Sequence, residues 1–175
     1  MSNDPSTHRM TGLRTEGLYW CLAILISFIA TAAQAQSLVG AQSRKAHAPG
    51  NVDYDLAIDI NQPIAGQVTF EPRPIGSGHA IVFQFDGPIS QAGTASAAPT
   101  GSASAQINPG NNSEVIVSLT GVADNTRVTV TLSGVNGGAN AFAVSLGFRV
   151  GDFNHTGTVT AADVSSARIR TGQTV

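Results

Sequence analysis

Six oxygen-bearing residues close to the C-terminus are the part of the chain whose types and spacing best suit chemistry. They are Asp152, Asn154, Thr156, Thr158, Thr160 and Asp163, with Gly157 among them. Carboxylate, amide, hydroxyl and backbone carbonyl oxygens are the ligands that calcium prefers in proteins. The segment is therefore a candidate calcium site.

The order of these residues is that of an EF-hand-type calcium loop. Counted from Asp152, side-chain oxygens fall at positions one, three, five, nine and twelve, and Gly157 falls at position six. Alternate residues of a tight loop can point oxygens at one centre, and glycine allows the sharp turn that this needs. Thr158 would contribute its backbone carbonyl. Residues 152–163 are thus predicted to bind calcium through all six oxygen-bearing residues.

A short helix is predicted directly after this loop. Thr160, followed three residues later by Asp163, reads as a capping box, which would place Asp163 in the first helical turn, facing the ion. The helix should span about residues 161–170. Arg168 and Arg170 suit the negative C-terminal end of a helix, so they read either as a solvated face or as contacts to a partner.

The elements that must position this loop are strands, because the preceding chain returns repeatedly to an alternation of apolar and polar residues. The alternating runs span residues 52–60, 81–85, 115–119, 128–132 and 142–148. Turn-forming Gly, Pro and Asn residues separate these runs, and no helical periodicity of useful length occurs over residues 36–148. Short strands with regular turns predict an antiparallel β-sandwich over residues 51–148.

Two segments fit the alternation less well. Residues 93–105 are a low-complexity stretch of Ala, Ser, Thr and Gly, which favours a strand with weakly specified register over a mobile loop. Residues 36–50 lack an apolar alternation of their own and are predicted to form an extended N-terminal arm.

The N-terminus has the layout of a secretory signal peptide. Arg9 and Arg14 precede an uncharged apolar run of about 13 residues, and the small-residue triplet 33–35 follows. A helix that crosses a bilayer needs about 20 apolar residues, so cleavage before Gln36 is favoured over a retained anchor. The mature protein is expected outside the cell, at the cell surface or in the periplasm, with no membrane segment after cleavage.

Composition narrows the chemistry of the exported part. The one cysteine, Cys21, lies within the signal, which excludes disulfides, thiolate metal sites and cysteine nucleophiles from the mature chain. A net charge of −2 gives no electrostatic basis for binding nucleic acid. The two glutamates of the mature chain, Glu71 and Glu114, lack the paired-acid motif of a glycosidase, and the histidines lack zinc spacing. Three aspartates on one strand face are read as solvated rather than cation-binding: Asp53, Asp55 and Asp59.

The C-terminal segment resembles the first repeat of a dockerin, the duplicated calcium-binding loop–helix module by which secreted enzymes and surface proteins attach to cohesin modules. Asp163 supports the resemblance, since dockerins commonly carry aspartate at position twelve. The resemblance implies a mainly β protein, with an antiparallel sandwich of immunoglobulin-like or cohesin-like type followed by an EF-hand-like loop and helix over residues 149–175. The upstream segments that look like the β-rich domain of one group of bacterial dockerin-bearing proteins are residues 43–47, 68–73, 79–85 and 119–122.

The chain also departs from the dockerin pattern. Thr156 occupies position five, where Asp or Asn is usual, so two carboxylates remain to neutralise calcium and the affinity should be weak. One repeat is present instead of two. Ala161 and Ala162, at positions that help dockerins to select a cohesin, are apolar and uninformative.

Three function classes stay open. The leading one is a secreted, non-catalytic module that docks in a calcium-dependent manner to a cohesin-like partner. The second is a carbohydrate-binding or polysaccharide-degradation-associated protein, as dockerin bearers often are, although no tryptophan follows Trp20 to stack on a sugar. The third is a hydrolase of glycosyl bonds, which family association alone suggests.

The resemblance predicts a second loop–helix unit directly downstream of Val175, in frame or frameshifted. Sequencing the DNA beyond that codon tests the expectation, because a second repeat would place another oxygen-rich pattern like residues 152–163 there. Unrelated sequence at that position would contradict it.

Overall fold

The computed structural model describes residues 36–47, 52–62, 64–74, 76 and 78–170, together with Met1. The predicted signal peptide lies outside these described residues, apart from Met1. From residue 36 onward, the described chain belongs to one compact unit. Within the described part, no helix is long and apolar enough to cross a membrane.

Strands make up most of the described structure. In chain order they are β1 (Leu38–His47), β2 (Val52–Ile58), β3 (Thr69–Glu71), β4 (His79–Phe85), β5 (Thr94–Ala98), β6 (Ser102–Asn108), β7 (Asn111–Thr120), β8 (Thr126–Ser133) and β9 (Ala141–Phe148). A 3-10 turn, Val135–Gly137, precedes β9. The helix α1 (Ala161–Arg170) follows the predicted calcium loop and has the predicted bounds.

The strands form two sheets. The five-stranded sheet has the order β2-β1-β4-β7-β6 and is antiparallel throughout. The four-stranded sheet has the order β3-β9-β8-β5, in which β3 runs parallel to β9 and the other pairs are antiparallel. The mainly β, mainly antiparallel class predicted from the sequence is confirmed. We refer to the two sheets together as the two-sheet domain.

One hydrophobic core draws on both sheets. Along β4, Ile81, Phe83 and Phe85 are buried, and along β8, Val128 and Val130 are buried on the same alternating pattern. Successive side chains of a strand point to opposite faces, so this alternation sends every second residue into the core. Each such buried aliphatic or aromatic side chain contributes about 1.5–3 kcal/mol to stability.

The predicted N-terminal arm over residues 36–50 is extended as far as it is described, to His47, but β1 is a strand of the sheet and not an arm outside it. This strand pairs with β2 on one side and with β4 on the other, so it lies inside the five-stranded sheet. Its buried positions include Ala41 and Ser43, which are small or polar. An alternation carried by such residues has little hydrophobic contrast, which explains why the sequence did not reveal the strand.

The low-complexity segment 93–105 contains two strands rather than one strand of uncertain register. β5 pairs with β8 in the four-stranded sheet, and β6 pairs with β7 in the five-stranded sheet, so the chain crosses between sheets near Gly101. The apolar neighbours of these strands, such as Val130 opposite Ala97 and Val117 opposite Ala105, define the register.

A buried carboxylate links the two sheets. Glu71, the last residue of β3, is fully buried. Arg73 donates to its Oε1 through Nε at 2.7 Å and to its Oε2 through Nη2 at 2.6 Å. Ser43 of β1 donates its hydroxyl to Oε2 at 2.5 Å. Burial opposes ionisation of Glu71, but these hydrogen bonds and the Arg73 charge hold its pKa below the ordinary value.

His79, the first residue of β4, lies beside this carboxylate. Its Nδ1 is 3.7 Å from Oε2 of Glu71, and its ring centroid is 5.4 Å from that of Phe148. Both ring nitrogens are buried without a hydrogen-bond partner among the described residues. Burial lowers the pKa of His79 to about 4, against the attraction of the Glu71 carboxylate, so the imidazole is neutral at pH 7.

We expect the protein to lose stability as the pH falls from about 6.5 to about 4, because of His79. The pKa of this group is about 4 when folded and has the ordinary value of 6.5 when unfolded. Within this window the unfolded state binds more protons, so the free energy of unfolding decreases as the pH falls. The loss should reach at most about 3 kcal/mol and should appear in thermal melts at successive pH values.

The variant His79→Phe should flatten this decline, because it removes the titrating ring and keeps an aromatic contact to Phe148. The matched control is His155→Gln at an exposed histidine, which should retain the decline. An undiminished slope in His79→Phe would show that another group controls stability in this range.

Candidate metal centre

Five of the six predicted calcium ligands lie in the loop between β9 and α1, and the sixth, Asp163, lies in the first turn of α1. The two carboxylates, Asp152 and Asp163, are 0% and 1% exposed, respectively. Asn154 is half-buried, and the three threonines are exposed. The loop therefore holds its two negative charges inside and its neutral oxygens nearer the surface.

Asp152 closes the first half of the loop. Its Oδ1 accepts a hydrogen bond from the backbone N–H of Thr156 at 3.0 Å, and its Oδ2 accepts one from Gly157 at 2.7 Å. The backbone turns through positive φ at His155 (58°) and at Gly157 (79°). The tight turn predicted for Gly157 is thus present, and the side chain at position one binds the backbone at positions five and six.

Asp163 closes the second half of the loop. Its Oδ1 accepts the backbone N–H of Asn154 at 3.1 Å, and its Oδ2 accepts the backbone N–H of Thr160 at 2.7 Å. The hydrogen bond from the Thr160 backbone is the main cause of the lowered pKa of Asp163, which is therefore ionised at neutral pH. The Thr160 hydroxyl accepts the backbone N–H of Ala162 at 3.3 Å, so Thr160 caps α1.

The neutral oxygens lie close to one another in the middle of the loop. The Thr156 hydroxyl donates to Oδ1 of Asn154 at 2.7 Å and lies 3.3 Å from the carbonyl oxygen of Thr158. Within the described residues, no group of three or more His, Cys, Asp or Glu side chains is placed to hold a metal ion. The candidate donor set thus consists of two carboxylates and several neutral oxygens. These are ligand types that calcium accepts, but they supply only two full negative charges.

The loop is seated on the two-sheet domain by Phe70 of β3. A Cβ atom added to Gly157 would lie 2.8 Å from Cζ of Phe70, and one added to Gly147 of β9 would lie 2.5 Å from Cε1, so the ring touches both glycines. The carbonyl oxygen of Phe70 is also 3.0 Å from Nδ1 of His155. The sequence offered no signal for this contact, because Phe70 and the loop are far apart in the chain.

Backbone hydrogen bonds join the loop to the domain at the predicted boundary between residues 148 and 149. The N–H of Arg149 donates to the carbonyl of Glu71 at 3.1 Å, and the N–H of Gly151 donates to that of Pro72 at 3.0 Å. The N–H of Val150 donates to Oδ1 of Asp124 at 3.0 Å. Hydrogen bonds therefore hold the segment that leads into the loop against the two-sheet domain.

The other acidic residues considered from the sequence have separate roles. Asp55 pairs with Arg44 at 2.9 Å on the exposed face of β1 and β2, and Asp59 accepts the backbone N–H of Asn61 at 3.0 Å. Glu71 is enclosed by its arginine and serine partners, whereas Glu114 accepts a hydrogen bond from Nδ2 of Asn108 at 2.7 Å. None of these hydrogen bonds connects Glu71 with Glu114 as the acid pair of a glycosidase.

Comparison with protein-family models, with curated proteins and with solved structures finds no match for this chain.

We expect Gly157→Ala to destabilise the protein more than Gly134→Ala. Both glycines have similar positive φ, 79° and 75°, so alanine should cost about 1–3 kcal/mol of backbone strain at either position. A methyl group at Gly134 would meet no atom of the described residues within 4 Å, whereas one at Gly157 would meet the Phe70 ring. Chemical denaturation should therefore show an additional loss for Gly157→Ala. Equal losses would contradict a tight contact between Gly157 and Phe70.

Proposed function

We propose that this chain is a secreted, non-catalytic module that binds calcium through residues 152–163 and docks through the adjoining helix to a cohesin-like protein. The observation that carries the proposal is the pair of buried carboxylates, Asp152 and Asp163, each hydrogen-bonded to backbone N–H groups of the same loop. They occupy positions one and twelve of an EF-hand-like loop, and the left-handed turns fall between them.

The residues that would hold calcium are Asp152, Asn154, Thr156, Thr160 and Asp163, together with the carbonyl oxygen of Thr158. Bound calcium would supply positive charge that draws these oxygens together and fixes the start of α1. The hydrogen bonds already made by the two carboxylates orient them, which lowers the ordering cost of binding. Two full charges are few for such a loop, so the proposed affinity is weak.

The proposed docking surface is the exposed side of α1. Val164 is 53% exposed and Ile169 is 71% exposed, and Arg168 is exposed between them along the chain. The buried centre of a protein interface is more apolar than its rim and is enriched in arginine, which these exposed residues match. The loop would present this helix to the partner, while the two-sheet domain, proposed to be a sandwich of immunoglobulin-like or cohesin-like type, would carry it. The signal-like N-terminus supports a location outside the cell.

Calorimetry on the mature protein should detect one calcium site with a dissociation constant on the order of 0.1–1 mM, the weak end of the range for such loops. Asp152→Asn and Asp163→Asn should each abolish the binding heat, because each removes half of the loop's negative charge while keeping the side-chain shape. The matched control is Asp124→Asn, which changes a carboxylate beside the loop that also binds backbone N–H groups. Absence of calcium-dependent heat in the wild-type protein at several millimolar would overturn the calcium assignment.

Docking should be tested separately with a panel of purified cohesin modules, in calcium and in a calcium chelator. The variant Ile169→Ser should weaken binding at least tenfold without changing the calcium affinity, since it alters the proposed contact surface alone. The matched control is Val39→Ser, which changes an exposed apolar residue of β1. Calcium binding without attachment to any cohesin would remove the docking proposal and leave the calcium site standing.

A further inference from the structure

A cleft of about 590 Å³ opens between the two-sheet domain and the calcium loop. Its charged or titratable lining residues are Arg127, Arg149 and His155, and no carboxylate is among the described residues that line it. The remaining polar lining side chains are neutral: Gln67, Asn125, Thr126 and Thr156. The ring of Phe70 adds an aromatic surface. The cleft is therefore cationic, with amide, hydroxyl and aromatic groups around the positive charge.

The two arginines are held in place by neutral acceptors. Arg127 donates through Nη1 to the carbonyl of Gly66 at 2.6 Å, and Arg149 donates through Nη2 to Oδ1 of Asn125. Nη2 of Arg127 and Nε of Arg149 are shielded from water and have no acceptor among the described residues. Each guanidinium thus keeps at least one donor nitrogen unused.

Neither arginine forms an ion pair with a carboxylate of the described residues. Asp124 is the acidic residue next to the cleft in sequence, and its Oδ1 accepts the backbone N–H groups of Asn125 and Val150. Two cations in a cleft, partly shielded and without a counter-charge, attract an anion more strongly than the same groups would in open water.

We propose that this cleft binds a carboxylated sugar, with Arg127 and Arg149 recognising the carboxylate. The planar, forked guanidinium matches the two oxygens of a carboxylate, which favours this group over a spherical anion. The volume lies within the range of about 300–1,000 Å³ typical of small-ligand sites, so the ligand has a body larger than a bare ion. The neutral amides and hydroxyls suit the sugar hydroxyls.

This inference does not rest on the proposed calcium site, although Thr156 belongs to both the loop and the cleft wall. The binding experiment is therefore carried out in metal-stripped buffer of low ionic strength. A chelator is avoided there, because common chelators are themselves polycarboxylates.

The first test compares galacturonate with galactose by calorimetry on the mature wild-type protein. The two sugars differ at the carboxylate, so galacturonate should bind with a dissociation constant on the order of 1 mM and galactose at least tenfold more weakly. No binding of galacturonate at several times that concentration would overturn the proposal. Acetate or inorganic phosphate binding as tightly as galacturonate would overturn the assignment to a carboxylated sugar.

The second test uses Arg127→Gln and Arg149→Gln, each of which should weaken galacturonate binding about tenfold or more. The matched control is Arg44→Gln on the five-stranded sheet, which should leave the affinity unchanged. Thermal melts check that each variant folds, and Arg127→Lys and Arg149→Lys replace any variant that does not. These lysine variants keep the positive charge but lose the forked guanidinium, so they should bind galacturonate several-fold more weakly than the wild-type protein. Wild-type affinity in folded variants at both positions would overturn the roles of the two arginines.

Discussion

The ionic contact between Glu71 and Arg73 holds the short strand β3, and the position of the loop depends on that strand. A three-residue strand gains little from its own pairing, whereas the buried Glu71 carboxylate is bound at both oxygens and is also tied to Ser43 of the other sheet. Removing one partner of a buried ion pair costs about 3–5 kcal/mol, because the other charge stays buried and uncompensated. When β3 is held in place, its backbone carbonyls and the Phe70 ring provide the contacts that position the C-terminal loop.

Much of the fold could be predicted because the core strands send every second residue into the hydrophobic core. β4, β7, β8 and β9 carry Val, Ile, Leu and Phe at those positions, so their alternation is visible in the sequence. β1 was not predicted as a strand because its buried positions are occupied by small or polar residues such as Ala41 and Ser43. β3 was not predicted because a three-residue strand is too short to show a period of two. The polar contact that fixes β3 joins Ser43 to Glu71, and no local pattern links residues so far apart.

For the candidate site too, local features could be predicted from the sequence and long-range contacts could not. Hydrogen bonds within the loop follow from local spacing, so the turn at Gly157, the cap at Thr160 and the start of α1 agree with the sequence prediction. The contacts that seat the loop on the two-sheet domain are long-range and could not be predicted. The cleft depends on them most, since Arg127 comes from β8, Arg149 from the end of β9, and Thr156 from the loop. Nothing in the local sequence of either arginine distinguishes it from a solvated surface residue.

If both proposed sites bind their ligands, we expect them to be coupled by charge. Thr156 belongs to the loop and also lines the cleft, so Arg127 and Arg149 line a cleft beside a loop that has two carboxylates. These cations would repel calcium in the loop, and an anion held between them would offset part of that repulsion. Linkage is reciprocal, so a carboxylate ligand and calcium should each raise the affinity of the other by the same factor. An anion held by the arginines would thus add negative charge beside the loop that Thr156 does not supply.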